Sequence, residues 1–420
     1  MKGFFLFLVL VVSQASAQTI THLTLQQAYE LAIKNYPVIK QRALVMQTES
    51  LTIQNLQKGY LPQFAFTGQA TYQSEVTGIN ISFPGINIQP PSNDQYKIVA
   101  DLNQTIYDGG LIRQEEKTAV LNNEVEQQKI ETELYQLKDR INQVYLGILF
   151  IDEQIKQADL IRADIQVGVK QVDAQVKNGV AFKSNLNVLK AQLLQTDQRV
   201  IELKASRKGY IEILGLFLNQ PLDETTELTQ PEIAVTPGAD IARPEIKLYT
   251  DQSKLIQQQN KLITARNIPK ASLFAQGGYG RPGLNLLKNE FDWFYIAGIR
   301  FNWSLGGLYT EKREKQVNEV NRKIVDIQKE TFLLNTNTQL RQEQSEIDKY
   351  AQLTETDQAI IDLRVEVKKA AVAQLQNGVI TANDYLREVN AEDQARQSLI
   401  THHLQLLQAR INYQTTLGKQ

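Results

Sequence analysis

From Gln63 to Gln73 apolar and polar residues alternate. Phe64, Phe66, Gly68, Ala70 and Tyr72 fall on one side, and Gln63, Ala65, Thr67, Gln69, Thr71 and Gln73 on the other. A period of two predicts a strand with an apolar and a polar face. The pattern returns from Tyr96 to Tyr107, where Tyr96, Ile98, Ala100 and Leu102 oppose Lys97, Asp101, Asn103 and Thr105. Ala271–Tyr279 and Trp293–Trp303 complete four predicted strands, spanning about 63–76, 96–107, 271–279 and 293–304. The Gly- and Pro-containing stretches Thr77–Asn93 and Gly280–Glu290 read as loops between them.

Elsewhere the period is helical. Leu25, Ala28, Ala32 and Ile33 mark a helix that bends near Pro37 and stops at Leu61-Pro62. After Gly109-Gly110, Leu134, Leu137, Ile141, Val144, Ile148, Ile151 and Ile155 are spaced by threes and fours, a heptad seam. A helix over Leu111–Lys177 extends roughly 100 Å at 1.5 Å per residue. Asn178-Gly179-Val180 interrupts it, Ser184 or Asn185 can cap a new helix, and Leu186, Leu189, Leu193, Val200, Leu203, Tyr210 and Leu214 run back. The prediction is a long antiparallel hairpin with its tip near Gly179.

The plan occurs twice. Tyr36-Pro37, Leu61-Pro62, Gly109-Gly110, Asn178-Gly179-Val180 and Leu214-Gly215 are echoed in order by Arg243-Pro244, Ile268-Pro269, Gly306-Gly307, Asn377-Gly378-Val379 and Leu417-Gly418, each roughly 200 residues later. Residues 18–218 therefore read as a first repeat, with its hairpin at about 111–215. Residues 219–243 read as a linker and 244–420 as a second repeat, with its hairpin at about 308–417. Pro62, Gly109, Gly110, Pro269, Gly306 and Gly307 mark the junctions between strands and helices.

Composition narrows the setting. Lys2, an apolar run from Phe4 to Val12 and Ala15-Ser16-Ala17 predict a signal peptide over 1–17. No later stretch is long and apolar enough for a transmembrane helix, so the mature chain enters a membrane only as strands. Four strands of about ten residues suit a tilted crossing, but small membrane barrels need about eight, and an open edge is not tolerated in hydrocarbon. Oligomerisation must supply the rest in multiples of four. Asp101, Asn103, Arg300 and Asn302 then fall on the water-facing side. Tyr72, Tyr96, Trp293, Tyr295 and Trp303 suit interfacial girdles. A balance of 45 basic and 46 acidic residues gives no electrostatic case for nucleic acid, and the lack of Cys excludes disulfides.

No P-loop, dinucleotide fingerprint, nucleophile elbow or HExxH is present, and the adjacent His402 and His403 read as a solvated helix face. Neither an enzyme nor a cofactor is expected. The remaining alternative to a channel is a periplasmic or surface coiled-coil structural protein without a pore.

The ordered duplication of helix, two strands and long hairpin, with X-Pro before the first strand, Gly-Gly after the second and Asn-Gly-Val at each tip, resembles the TolC-like outer-membrane efflux channels. The resemblance covers essentially the whole mature chain. It implies a mainly α fold with a small membrane β part, assembled as a homotrimer with a twelve-stranded barrel continuous with a periplasmic helical tunnel. It implies an exit duct that docks on a periplasmic adaptor (membrane fusion) protein and serves an inner-membrane pump of RND or ABC type. By that resemblance Asn178, Gly179, Val180, Asn377, Gly378 and Val379 receive the adaptor. Asp384 contributes to an acidic gate ring; its counterpart in the first hairpin is Asn185, and Arg387 stands where a second acid occurs in some members. From the residues alone, Asn-Gly serves a left-handed turn and Asp384 is a carboxylate favoured at a helix N-terminus.

Overall fold

The computed structural model describes residues 21–77, 90–235, 238 and 240–419; the predicted signal segment and most of the loop predicted between Thr77 and Asn93 lie outside them. The described elements are β1 (His22–Leu23), α1 (Leu25–Asn35), α2 (Ile39–Gln57), β2 (Gln63–Tyr72), β3 (Asp94–Tyr107), α3 (Leu111–Lys177), α4 (Lys183–Leu218), β4 (Glu227–Leu228), α5 (Pro244–Arg266), β5 (Lys270–Arg281), β6 (Asp292–Asn302), α6 (Gly306–Gln376) and α7 (Ala382–Leu417). Two compact units form, and each draws on both halves of the sequence.

The unit of Lys40–Thr132 and Pro244–Leu333 holds the larger sheet, antiparallel in the order β2-β3-β5-β6. β2 begins directly after Pro62 and ends at Tyr72, four residues short of the prediction, because Gln73 N–H donates to Asn93 O (2.8 Å) and the chain then bends away at Ser74. β3 and β5 start earlier than their alternation suggested. Register carries the alternation across the sheet: Phe66, Ala100, Gly277 and Tyr295 lie side by side on one face, and Ala65, Asp101, Gln276 and Ile296 on the other.

The other unit comprises the described residues within Met1–Ile39, Glu133–Arg243 and Leu334–Gln420. Thr24 opens α1 with a capping box, accepting from Gln27 N–H while Gln27 Oε1 accepts from Thr24 N–H. Leu25, Ala28 and Ala32 then pack on Leu137, Ile141 and Ile148 of α3, Leu214 and Leu218 of α4, and Leu404, Leu407 and Ile411 of α7. Tyr145, fully buried, donates its hydroxyl toward Leu23 O and Thr229 O (both 2.7 Å), beside the parallel β1–β4 pair. The buried face of α3 is broader than a two-position seam, since Tyr145, Leu146 and Leu149 are buried as well. A helix packed by several neighbours buries more than one stripe.

Two details differ from expectation. Phe182, not Ser184 or Asn185, is the N-cap of α4, and it offers no side-chain hydrogen bond. His402 is not on a solvated face: its Nδ1 lies 2.6 Å from Oδ2 of the buried Asp357, while the exposed His403 meets Gln230. Adjacent positions on a helix point about 100° apart, so one can be packed and the other wet.

Candidate functional site

The sheet presents the first functional surface. Its apolar face gathers Phe64, Phe66, Ile98, Leu273, Tyr295, Ile299 and Phe301, all exposed, with Phe66 at 81% and Tyr295 at 83%. Tyr72, Tyr96, Tyr279 and Trp293 border that face toward the loops; Trp303 borders it toward the helices and donates its Nε1–H to Asn267 O (3.0 Å). Side chains of this size left facing outward mark a surface built for an apolar medium. The opposite face carries Asp101, Asn103, Arg300 and Asn302, as the alternation required. There Thr67 Oγ1–H donates to Asp101 Oδ2 (3.4 Å) and Gln276 Nε2–H donates to its other oxygen. Phe274 and Phe294 also lie on this face, which alternation between polar and apolar types did not flag; each ring covers a glycine, Gly298 and Gly278 respectively. β2 and β6 end the strand order, so each leaves an edge of unpaired backbone groups.

The two Gly-Gly junctions solve the same turn differently. Gly109 and Gly110 both have left-handed backbone (φ +74° and +77°), and a side chain on Gly109 would stand 2.8 Å from Ile268 Cβ. Asp108 holds the turn by accepting from Gly110 N–H (2.8 Å) and Ile112 N–H (2.7 Å). At the second junction α6 already begins at Gly306, and neither glycine has positive φ. Here close approach is the reason: a Cβ on Gly307 would stand 2.0 Å from Asn267 Oδ1. The predicted equivalence of the junctions holds in position and not in backbone conformation.

The hairpin tips form the second surface. At the first, Gly179 (φ +75°) donates to Val176 O (3.1 Å) and Val180 N–H to Gln175 O (2.8 Å). At the second, Gly378 (φ +66°) donates to Leu375 O (3.2 Å) and Val379 N–H to Gln374 O (2.8 Å). This is the same helix-ending motif twice, with glycine where an L side chain is strained. Asn178 and Asn377 are exposed beside them, and Val180 and Val379 are both 71% exposed. Behind the tips, Ile165, Val172, Leu186, Leu189, Leu375, Tyr385 and Val389 make one buried cluster of both hairpins, and Gln175 Nε2–H donates to Leu375 O (2.7 Å).

Asp384 sits in the first turn of α7. Its carboxylate accepts from Thr381 N–H (3.1 Å) and Oγ1–H (2.8 Å), and its own N–H donates to Thr381 Oγ1. Those bonds hold the carboxyl below the usual range. Arg387 is exposed with Nε 3.2 Å from Glu388, and Asn185 is half-buried with its N–H donating to Phe182 O (3.0 Å). Deeper in, Lys368 of α6 reaches Asp164 of α3 (2.7 Å) and Glu392 of α7 (2.8 Å), and Glu392 also meets Arg396 (2.8 Å). Glu392 is 3% exposed. Burial pushes its carboxyl up, but the bonds from Lys368 and Arg396 outweigh burial and hold it below its ordinary value. Sequence reasoning missed this knot. The available signal was a carboxylate in phase with Tyr385 and Val389, on the face of α7 that is otherwise apolar.

A likeness in sequence and several in structure bear on this arrangement. Residues 28–212 match the model of a family described as outer membrane efflux protein. Over that stretch, from α1 into α4, the chain resembles the outer membrane efflux protein family. No curated protein matches the chain in sequence. Solved structures carry the likeness in fold beyond the matched stretch. A CusC structure from work on folding and transmembrane channel formation has a TM-score of 0.69 at 14% identity, covering 94% of this chain and 92% of that one. The CmeC outer membrane channel of Campylobacter jejuni reaches 0.65 at 13%, covering 94% and 85%. The open MtrE outer membrane channel of Neisseria gonorrhoeae reaches 0.65 at 14%, covering 94% and 89%. At these identities the likeness is one of fold, and that fold is the mainly helical architecture with a small sheet of outer-membrane channels. In fold the chain thus resembles outer-membrane channel proteins.

Proposed function

We propose that this protein is a passive exit duct. Exported by its signal peptide, it assembles as a homotrimer whose three sheets close a twelve-stranded barrel in the outer membrane, with the long helices forming a tunnel in the periplasm. The carrying observation is the sheet: four strands with one apolar and one polar face and two open edges. Such edges cannot stand in hydrocarbon, where each unpaired backbone group costs several kcal/mol, so copies must close on one another. Asp101, Asn103, Arg300 and Asn302 then line water and the aromatic face meets lipid.

The tips, Asn178-Gly179-Val180 and Asn377-Gly378-Val379, receive a periplasmic adaptor, which couples the duct to an inner-membrane pump of RND or ABC type; the exposed valines support that reading. The gate lies at Asn185, Asp384 and Arg387. Because Asp384 is committed to capping α7, its role in the gate is to hold the returning helix as well as to supply charge. Cargo moves by energy spent in the pump, since the duct has no chemistry of its own to drive it.

Planar-bilayer recording on the purified, SDS-resistant oligomer tests the proposal. Stepwise conductance supports it; a soluble monomer with no conductance supports the coiled-coil alternative and overturns it. Asp384→Ala is expected to raise open probability and lower cation preference, and unchanged conductance and selectivity would remove Asp384 from the gate.

A further inference from the structure

The helix-side end of the sheet carries an excess of positive charge on its inward face. Lys270 pairs in register with Asn302, and Ser272 with Arg300, so Lys270 and Arg300 share the face of Asp101 and Asn103. Neither Lys270 nor Arg300 has a carboxylate within 4 Å among the described residues. The Arg300 guanidinium carbon lies 4.6 Å from the centre of the Phe274 ring, and Phe274 in turn lies on Gly298, where a Cβ would come within 3.1 Å of the ring. Arg300 is therefore laid on an aromatic platform instead of being neutralised, and a guanidinium so held keeps its planar fork of donors for an incoming anion.

Possible counter-charges lie elsewhere or are occupied. Asp101 is opposite Gln276, four residues along β5 from Ser272 and so about 13 Å away by strand rise, and it already accepts from Thr67 and Gln276. Asp292 is at the other end of β6, 3.8 Å from Lys288. Asp108 spends both oxygens on the backbone of the first junction, and Glu311 is held by Lys315 and Asn267. The edge strand β6 must pair with β2 of a neighbouring copy, and the inward positions of β2 are Gln63, Ala65, Thr67, Gln69 and Thr71. Whatever the register of that seam, it brings no carboxylate.

We infer that Lys270 and Arg300, repeated around the barrel, form a basic ring at its periplasmic mouth that draws in organic anions, and that the cargo leaving through the barrel is of this class. The inference rests on the closed-barrel reading proposed above. Unpaired charges lining one constricted passage act together on a solute, because low-dielectric walls focus their field. The exposed Arg300 guanidinium, with one face on Phe274, leaves its other flat face open for stacking, so a sulfonate or carboxylate carried on an aromatic ring is favoured over a small inorganic anion.

The test uses the full-length oligomer in planar bilayers, with naphthalene-1,5-disulfonate added on the barrel side, so that the probe meets the ring without passing the hairpin tips. Wild type is expected to show current block that weakens as KCl is raised from 0.1 to 1 M, about the range over which the Debye length falls from 10 to 3 Å. Arg300→Gln is expected to raise the half-blocking concentration roughly tenfold, the loss when a charge-assisted pair becomes neutral. The double variant Lys270→Gln/Arg300→Gln should move the reversal potential in a KCl gradient toward cation preference. Equal block of the wild type and both variants, or equal block by a dicationic naphthalene, overturns the ring while conductance persists. Absence of any conductance overturns the channel itself and the ring with it.

Discussion

Lys368 ties three of the four tip helices together, and replacing it with methionine tests how much that tie stabilises them. In the wild type its ammonium group lies between Asp164 on α3 and Glu392 on α7. Breaking a buried ion pair by removing one partner costs about 3–5 kcal/mol, because the other charge is left desolvated. The low end applies here: Glu392 keeps Arg396, and Asp164, whose side chain is 37% exposed, is partly rehydrated. A cost of about 3 kcal/mol corresponds to a rise of roughly 150-fold in the local opening constant. Hydrogen exchange of the detergent-solubilised oligomer reads this directly: amides of α7 from Tyr385 to Glu392 should lose about two decades of protection, while those of β3 and β5 stay unchanged. Replacing both ions, as Lys368→Met/Glu392→Leu, should restore most of it, since apolar replacement of a whole buried pair is often neutral. The pH dependence carries a sign. Glu392 has a depressed carboxyl, so its contribution is present above its ordinary value near 4.5 and is lost as pH falls through the lower folded value. The folded pKa of Lys368 is raised because its bonds to Asp164 and Glu392 outweigh burial, so its contribution is present below 10.5 and is lost as pH climbs past the folded value. Protection from these two groups should therefore be level between about pH 4.5 and 10.5. If Lys368→Met leaves α7 exchange within a factor of three of wild type, the knot does not hold the tips and the energetic reasoning is wrong.

Other expectations follow from the same geometry. Gly109→Ala should lower the melting temperature of the oligomer measurably, because it adds a left-handed backbone penalty of about 1–2 kcal/mol to a collision with Ile268, whereas Gly306→Ala, helical and in open space, should be close to neutral. Arginine at Ala297, midway along the apolar face, should cost about 2–4 kcal/mol and reduce the yield of assembled oligomer in lipid, while arginine at Ala65 on the opposite face should assemble normally. Glu343 is buried, and burial pushes its carboxyl up against the bonds from Thr416 and Gln339. A raised carboxyl gives stability below about pH 4.5 that is lost as pH rises through the folded value, so Glu343→Gln should raise the thermal midpoint at pH 7 and flatten its pH dependence above 4.5.

The sequence alone determined what depends on periodicity. Alternation between Phe64 and Tyr72 and between Tyr96 and Tyr107 was enough to assign strands and their two faces, because a pleated strand turns each successive side chain over. Three- and four-residue spacing located α3 and α4, the internal repeat placed α6 and α7, and Asn-Gly-Val marked both tips because left-handed backbone selects glycine. Tertiary structure decided what depends on distant partners. Which carboxylate meets Lys368, why Gly307 must be small when its backbone is helical, why His402 is packed and His403 wet, and that Arg300 rests on Phe274 without a counter-charge are all set by residues tens or hundreds of positions away. Local pattern records which medium a side chain faces, but not the neighbour it meets there.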